Sequence, residues 1–310
     1  MTNPEDLKQL FTEPNQGQLD LFKNQYYSRL NAAQIQAIEE AFAFNFSLSQ
    51  QRPKWVLDNS DPQPSLQQFG IDTQAPLSTR LRVLSRLAGS TGRNPAFGGL
   101  DSLQRFLYIP GDQALTEIIA ASSTTDQVYQ VVDIGCGGQV ADIELLCNSH
   151  FASKRIKVLG IGAFDYGVSL RDDFPELKEK LAFQSADVYS PPTIANANLV
   201  FSARTLSYTG LIDTVRFCHN AHCMAAADGV IRIGDIDGSV FNFDNSLYHN
   251  FTDFLSAVGK EQPSLKFNAN GSKYVVQWRQ SEGFPLKPFQ AYHIEYDSLT
   301  SLPAVIYYTL

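Results

Sequence analysis

The chain has 310 residues, with 24 basic and 32 acidic side chains giving a net charge of −8, and it is 44% hydrophobic and 18% charged. That composition belongs to a folded globular protein rather than a disordered segment, and its acidic balance argues against nucleic-acid binding, whose affinity rests on Lys and Arg. No apolar run reaches the roughly 18–20 residues of a membrane span, and the start, Met1 to Asp6, has neither the basic nor the apolar stretch of a secretory signal.

The first 125 residues read as helical and irregular. Leu19, Phe22, Tyr26 and Leu30 recur at helical spacing, and Ile35, Ile38 and Phe42 repeat it after Asn31, an expected N-cap. Residues 52–76 carry four prolines and read as a loop, after which Ser78 is expected to cap a helix with Leu81, Leu84 and Leu87 on its apolar face. Glycines at 89, 92, 98 and 99 interrupt it. Leu103, Phe106 and Leu107 mark the next helix, and Leu115, Ile118 and Ile119 the last of this region.

From about residue 126 short apolar runs alternate with helical patterns. Strands are expected over 129–134, 156–161, 181–186, 198–203 and 229–234. The helices between them carry Val140, Ile143 and Leu146, then residues 170–180 interrupted by Pro175, then Leu211, Val215, Cys218 and His222. A further helix is striped by Leu247, Phe251, Phe254, Leu255 and Val258. The tail offers strands at 273–278, 291–296 and 304–309 without a helix. Such alternation predicts a doubly wound, mostly parallel α/β sheet with the last strands joining one edge, at least one of them antiparallel. The expected division is a helical cap over residues 1–125 and a sheet domain over 126–310.

The most informative segment is Val131-Val132-Asp133-Ile134-Gly135-Cys136-Gly137-Gly138-Gln139. Glycines between a strand and a helix let a ligand approach the backbone at the carboxyl end of a sheet. An acid two residues before the first glycine would oppose the pyrophosphate of a dinucleotide at the helix N-terminus, but it suits a cationic group such as an amino acid's ammonium.

On these residues the chain resembles the class I S-adenosylmethionine-dependent methyltransferases, whose first motif is an acidic residue followed by three alternating glycines. Asp133, Gly135 and Gly137 match, Gln139 stands at the third glycine position, and Gly138 lies beside it. The resemblance implies a seven-stranded Rossmann-like sheet closing on a strand-rich tail, with S-adenosylmethionine as cofactor. It implies Asp133 near the methionine ammonium, with Gly135, Gly137 and Gly138 forming the cradle. After the second strand, Gly162 stands where the family has a carboxylate for the ribose hydroxyls, and Asp165 is the nearest substitute. Asp187 and Val188 correspond to the adenine-contacting segment, and Ser202 begins the segment under the methionine portion.

Methyl transfer requires mainly that donor and acceptor be positioned, so no catalytic base is named. Arg204 and Tyr208 are the candidates for orienting the acceptor, and Tyr26 and Tyr27 are candidate lid residues. Cys218, His219, His222 and Cys223 crowd one and a half helical turns, too close together to converge tetrahedrally on an ion, and read as core. Asp235 and Asp237 read as a polar loop, and Asp142 and Glu144 as acids favouring the dipole of their helix; no metal site is expected. The four cysteines suggest a reduced, cytoplasmic setting. The resulting expectation is O- or N-methylation of a small organic acceptor by a soluble enzyme, with a homodimer as the candidate assembly. A methyltransferase-like binding or regulatory protein is the alternative, favoured by Gln139 and Gly162. A NAD(P)-dependent oxidoreductase is a further one, disfavoured by Asp133 and the strand-rich ending.

Overall fold

In the computed structural model the apolar runs after residue 126 pair into one seven-stranded sheet. The structure describes residues 6, 10, 15–32, 35, 36, 38, 39, 42, 43, 65–90, 98–186, 196–206, 211–236, 255, 256, 264–270 and 273–285. The strands are β1 (Tyr129–Ile134), β2 (Ile156–Gly162), β3 (Leu181–Ser185), β4 (Ala197–Ala203), β5 (Ala225–Ile236), β6 (Lys266–Asn270) and β7 (Lys273–Arg279). Their order across the sheet is β3-β2-β1-β4-β5-β7-β6. The first five are parallel, whereas β7 lies antiparallel between β5 and β6. The helices are α1 (Gln16–Tyr26), α2 (Leu77–Ser90), α3 (Leu100–Phe106), α4 (Leu115–Ser122), α5 (Val140–Leu146), α6 (Val168–Asp172) and α7 (Leu211–Met224).

Both faces of the sheet are buried, as a doubly wound arrangement requires. The register aligns Val132, Val200, Ile231 and Trp278 in one row, and all four are buried. On the other face Tyr129, Val131, Leu199, Phe201 and Val275 join a core with Leu84 and Leu87 of α2, Phe106 of α3, Ile118 and Ile119 of α4 and Ile143 of α5. Helices α2, α3 and α4 therefore pack directly on the sheet.

The chain divides into two compact units, one of residues 57–207 and 217–285 and one of 1–56, 208–216 and 286–310. In the latter, Leu10, Leu19, Phe22, Tyr26, Ile38 and Phe42 form a cluster of their own. This follows from the helical stripe read in the sequence, with Asn15 Oδ1 capping α1 by accepting from Gln18 N at 3.0 Å.

Several local expectations are corrected. Ser78 is the second residue of α2 rather than its cap, because the Pro76 carbonyl receives the first helical N–H groups, at 2.8 Å from Thr79 N and 3.1 Å from Arg80 N. The segment before Pro175 makes only the short α6, followed by a single 3-10 turn over Pro175–Leu177, since proline cannot donate to a continuing helix. Strand β6 was not expected, its polar sequence Lys-Phe-Asn-Ala-Asn hiding an edge strand. The strands expected over 291–296 and 304–309 lie outside the described residues, as does most of the helix expected around 247–258.

A polar row crosses the α2–α6 face. Asp133, Phe201, Arg232 and Gln277 align in register, and three of the four are buried polar side chains. Arg232 Nε donates to Gln277 Oε1 at 2.6 Å, Nη1 to the Gln113 carbonyl at 2.8 Å and Nη2 to Asp112 Oδ2 at 2.7 Å. Gln277 and Lys266 also donate to Asp112, each at 2.8 Å. Burial alone would raise the Asp112 carboxyl, but the Lys266 hydrogen bond, Gln113 N–H and Arg232 charge hold it below its ordinary value. This network ties β5, β6 and β7 to the loop before α4. Removing one member of a buried ion pair typically costs about 3–5 kcal/mol, because the other charge is left uncompensated. Asp112→Ala is expected to lower the urea midpoint accordingly, and adding Arg232→Met should recover most of the loss. Equal destabilisation in the double variant would show that the pair is not what holds this edge.

Candidate functional site

The site is built where the chain leaves β1. Strands β2 and β4 flank β1, and their onward connections run in opposite directions, so a crevice opens beyond the carboxyl ends of β1 and β4. The backbone turns there through three left-handed positions, Gly135 (φ 79°), Gly137 (φ 52°) and Gln139 (φ 56°), before α5 begins at Val140. Glycine supplies the first two at no steric cost.

Gln139 adopts the third despite its Cβ, at a cost of roughly 1 kcal/mol. Its amide accounts for this. Nε2 donates to Asp142 Oδ2 at 3.2 Å and to the Ala182 carbonyl at 3.1 Å, and Oε1 accepts from Arg171 Nη1 at 2.6 Å. Three satisfied bonds at a buried position are each worth about 1 kcal/mol net, enough to hold the conformation. Space for the side chain is left by Gly160 of β2, where a Cβ would lie 2.4 Å from Gln139 Nε2 and 2.6 Å from Cys136 Sγ.

Asp133, on the strand before the turn, is buried against Asp142 of α5. Burial first, and the neighbouring Asp142 second, push the Asp133 carboxyl well above its ordinary value. Burial pushes Asp142 up to about 7, and its Oδ1 is buried without a hydrogen-bond partner. Two such acids side by side hold at least one proton between them near neutrality. By its place in the helix after β1, Asp142 is expected to be an acid favouring the helix dipole. It lies instead on the inward face, which the spacing of nine residues from Asp133 did not reveal. Glu144 is structural, accepting from Ser85 Oγ at 2.9 Å and from Leu100 N at 2.7 Å at the start of α3.

The other wall comes from β4. Ser202 Oγ donates to the Ile134 carbonyl at 2.7 Å, and Thr205 Oγ1 approaches the same oxygen at 3.0 Å. Thr205 also fills the space over Gly135, where a Cβ would sit 2.0 Å from Thr205 Oγ1. Ser202 is therefore at the turn, as expected, and Thr205, which the sequence did not single out, is its partner.

At the end of β2, a Cβ on Gly162 would meet nothing closer than Phe183 at 3.5 Å, so a side chain is accommodated there. Asp165 faces Arg171. Its Oδ1 accepts from Arg171 Nη1 at 2.8 Å and from Gly167 N at 3.2 Å, and its Oδ2 accepts from Arg171 Nη2. Asp165, Arg171 and Gln139 thus form a continuous polar chain. Arg204 has a left-handed backbone (φ 60°), with its guanidinium over the Phe106 ring. Tyr208, Asp187, Val188 and Asp237 lie outside the described residues.

Tyr26 and Tyr27 belong to the smaller unit. Tyr26 is in its core and donates to Asp6. Burial and Glu39 push the Tyr27 phenol up to about 12. Cys218 is buried and Trp278 Nε1 donates to His222 Nδ1 at 3.1 Å, as a core reading expects, but Cys223 is exposed and His219 half-buried, because a single helix face packs on the sheet. Asp235, expected in a polar loop, is instead a buried residue of β5 that accepts from Leu206 N, fixing the turn after β4. All four cysteines are free thiols, and no described helix is long and apolar enough to cross a membrane.

A parallel sheet ordered 3-2-1-4-5-7-6, with antiparallel β7 inserted beside β5 and a glycine turn after β1, is the class I S-adenosylmethionine-dependent methyltransferase fold. The sequence matches no protein-family model and no curated protein. Among solved structures it is similar to the [4+2]-cyclase SpnF, at 17% identity and TM-score 0.32 over 39% of this chain and 44% of that one. It is also similar to the S-adenosylmethionine-dependent methyltransferase SibL, at 14% identity and TM-score 0.34 over 53% and 54% of the two chains. A third is a protein from Methanococcus maripaludis assigned as an S-adenosylmethionine-dependent methyltransferase, at 14% identity and TM-score 0.36 over 53% and 83%. The match spans about half the length of SpnF and of SibL. At these identities the likeness concerns the fold, and the strand order carries that assignment.

The acid pair makes stability depend on pH with a defined sign. A carboxyl whose folded pKa is raised contributes stability that is present below about pH 4 and lost as pH rises through about 7. Burial lowers His219 and His222, which gives the opposite slope as pH falls below about 6.5. The comparison is therefore between wild type and Asp133→Asn. The variant is expected to gain stability relative to wild type between about pH 5 and pH 8, read as urea midpoints. A difference that does not change with pH would mean the two acids do not share a proton.

Proposed function

We propose that the chain is an S-adenosylmethionine-dependent methyltransferase that acts on a small organic acceptor by O- or N-methylation. The observation that carries this reading is the turn at Gly135–Gln139, placed at the β1/β4 switch point of a sheet with this strand order. The donor set fits the cofactor at its methionine end. Asp133 and Asp142 form an acid pair that can release its proton to receive an ammonium, and the glycine turn offers backbone rather than side chains beside it. At the ribose end the fit is looser, because Gly162 brings no carboxylate and Asp165 is held by Arg171.

The bound cofactor supplies an electrophilic methyl group for in-line displacement, so the chain's task is alignment. Ser202 and Thr205 pin the end of β4 to the Ile134 carbonyl, fixing the two walls of the crevice relative to one another. Arg204, beyond that pin, is the residue assigned to orient the acceptor. An oxidoreductase is disfavoured because a pyrophosphate would face the acid pair.

A second reading is supported by the Asp165–Arg171–Gln139 chain and by Thr205 seated over Gly135. In it the fold binds a ligand or partner without transferring a methyl group. Calorimetry with S-adenosylmethionine, S-adenosylhomocysteine and NADPH separates these. Binding of the adenosyl ligands but not NADPH is expected, with affinity lowered about tenfold or more in Asp133→Ala. No adenosyl binding at millimolar concentration rejects the enzyme reading. Because Gly162 has room for a side chain, Gly162→Asp is expected to tighten S-adenosylhomocysteine binding about tenfold by adding a charged acceptor for the ribose hydroxyls. Unchanged affinity in that variant would place the ribose elsewhere.

A further inference from the structure

Two cations converge on one aromatic ring just beyond the glycine turn. The Arg204 guanidinium carbon lies 4.6 Å, and Lys273 Nζ 4.5 Å, from the centroid of Phe106. They come from different elements, Arg204 from the turn after β4 and Lys273 from the first residue of β7. The register places Lys273 beside Ile236, at the carboxyl end of β5. Both therefore stand on the edge of the sheet where the crevice opens.

Neither has a carboxylate partner among the described residues, in a protein whose net charge is −8. Lys273 Nζ donates to the Arg105 carbonyl at the end of α3, a contact that satisfies one helix carbonyl and brings no opposite charge. Burial, and then the Arg204 charge, lower the Lys273 ammonium below its ordinary value. The Phe106 ring is itself buried, so one ring of modest attraction holds two charges that repel each other.

Arg204 is held there by its backbone. Its N–H donates to the Gly234 carbonyl at 3.0 Å, Leu206 N donates to Asp235, and Ser202 and Thr205 on either side anchor on Ile134. A left-handed arginine is a conformation that ordinary side chains rarely keep unless the surroundings impose it, and such strain concentrates at ligand sites. Arg204 as a whole is an exposed residue, and its guanidinium carries five N–H donors.

We propose that Arg204 and Lys273 form an anion clamp that binds the carboxylate of the acceptor, so that the substrate is a small organic acid. A carboxylate between the two cations removes their repulsion and accepts from the guanidinium in a forked, charge-assisted geometry. Thr205, the residue after Arg204, touches Gly135, so an acid held in this clamp lies next to the proposed methyl donor. The assignment of the anion as methyl acceptor rests on the methyltransferase reading, whereas the clamp itself does not.

The test is calorimetry on the full chain with benzoate, its neutral isostere benzamide and inorganic phosphate, each with and without S-adenosylhomocysteine. Benzoate is expected to bind at least about tenfold more tightly than benzamide, and to lose about tenfold in Arg204→Gln and in Lys273→Gln. Lys273→Arg, which keeps the charge, should retain most of the binding, whereas Arg204→Lys, which keeps the charge but loses the fork, should bind between wild type and Arg204→Gln, and both serve if the glutamine variants do not fold. Equal binding of benzoate and benzamide, no loss in the glutamine variants, or a preference for phosphate over benzoate would overturn the carboxylate clamp. If S-adenosylhomocysteine binds while benzoate does not, the clamp fails alone. If benzoate binds while the adenosyl ligands do not, the clamp stands in a protein that does not methylate.

Discussion

The constraint on which the site depends is the turn from β1 into α5, which passes through left-handed positions at Gly135, Gly137 and Gln139. Two of these are glycines and cost little. The third is held by a buried amide whose bonds reach α5, β3 and α6 together. For that amide to enter, β2 must have a glycine at 160, and for the turn to meet β4, Thr205 must lie against Gly135. Five elements are thus fixed by the conformation of five residues.

Electrostatics divides the larger unit into two regions with different purposes. On the β5–β7 side, Arg232, Asp112, Gln277 and Lys266 form a satisfied network in which each charge has a partner. It holds the antiparallel strands to the helical layer. Near β1 the balance is left incomplete. Asp133 and Asp142 share a negative potential that favours a cation or a proton, while Arg204 and Lys273 leave a positive one past the end of β4. A ligand with an ammonium at one end, and an acid beyond it, would answer both.

Much of the fold was legible along the chain. The run Tyr129–Ile134 reads as a strand because Tyr129, Val131, Val132 and Ile134 favour strands and the run ends at glycine, and β1 has those bounds. Strands β2 and β4 were recovered within one residue for the same reason. Strand β6 is not legible in the same way: Lys-Phe-Asn-Ala-Asn alternates, but an edge strand of five residues with only Phe267 and Ala269 on its apolar side gives a weak signal. The position of β7 between β5 and β6 also needs pairing across the sheet, which no local pattern encodes.

The site divides along a similar line. The sequence by itself determined that a glycine turn preceded by an acid follows the first strand, because backbone freedom and charge are properties of single residues. It also registered the departures at Gln139 and Gly162. Only the tertiary structure decided what those residues do. It folded Gln139 inward onto Arg171, turned Asp165 away to the same arginine, and set Asp142 beside Asp133. It also brought Lys273 to Phe106 and Arg204 from 69 positions further along the chain. The physical reason is that a charge is assigned its role by the charges around it, and those come from helices, turns and strands that only the folded sheet brings together.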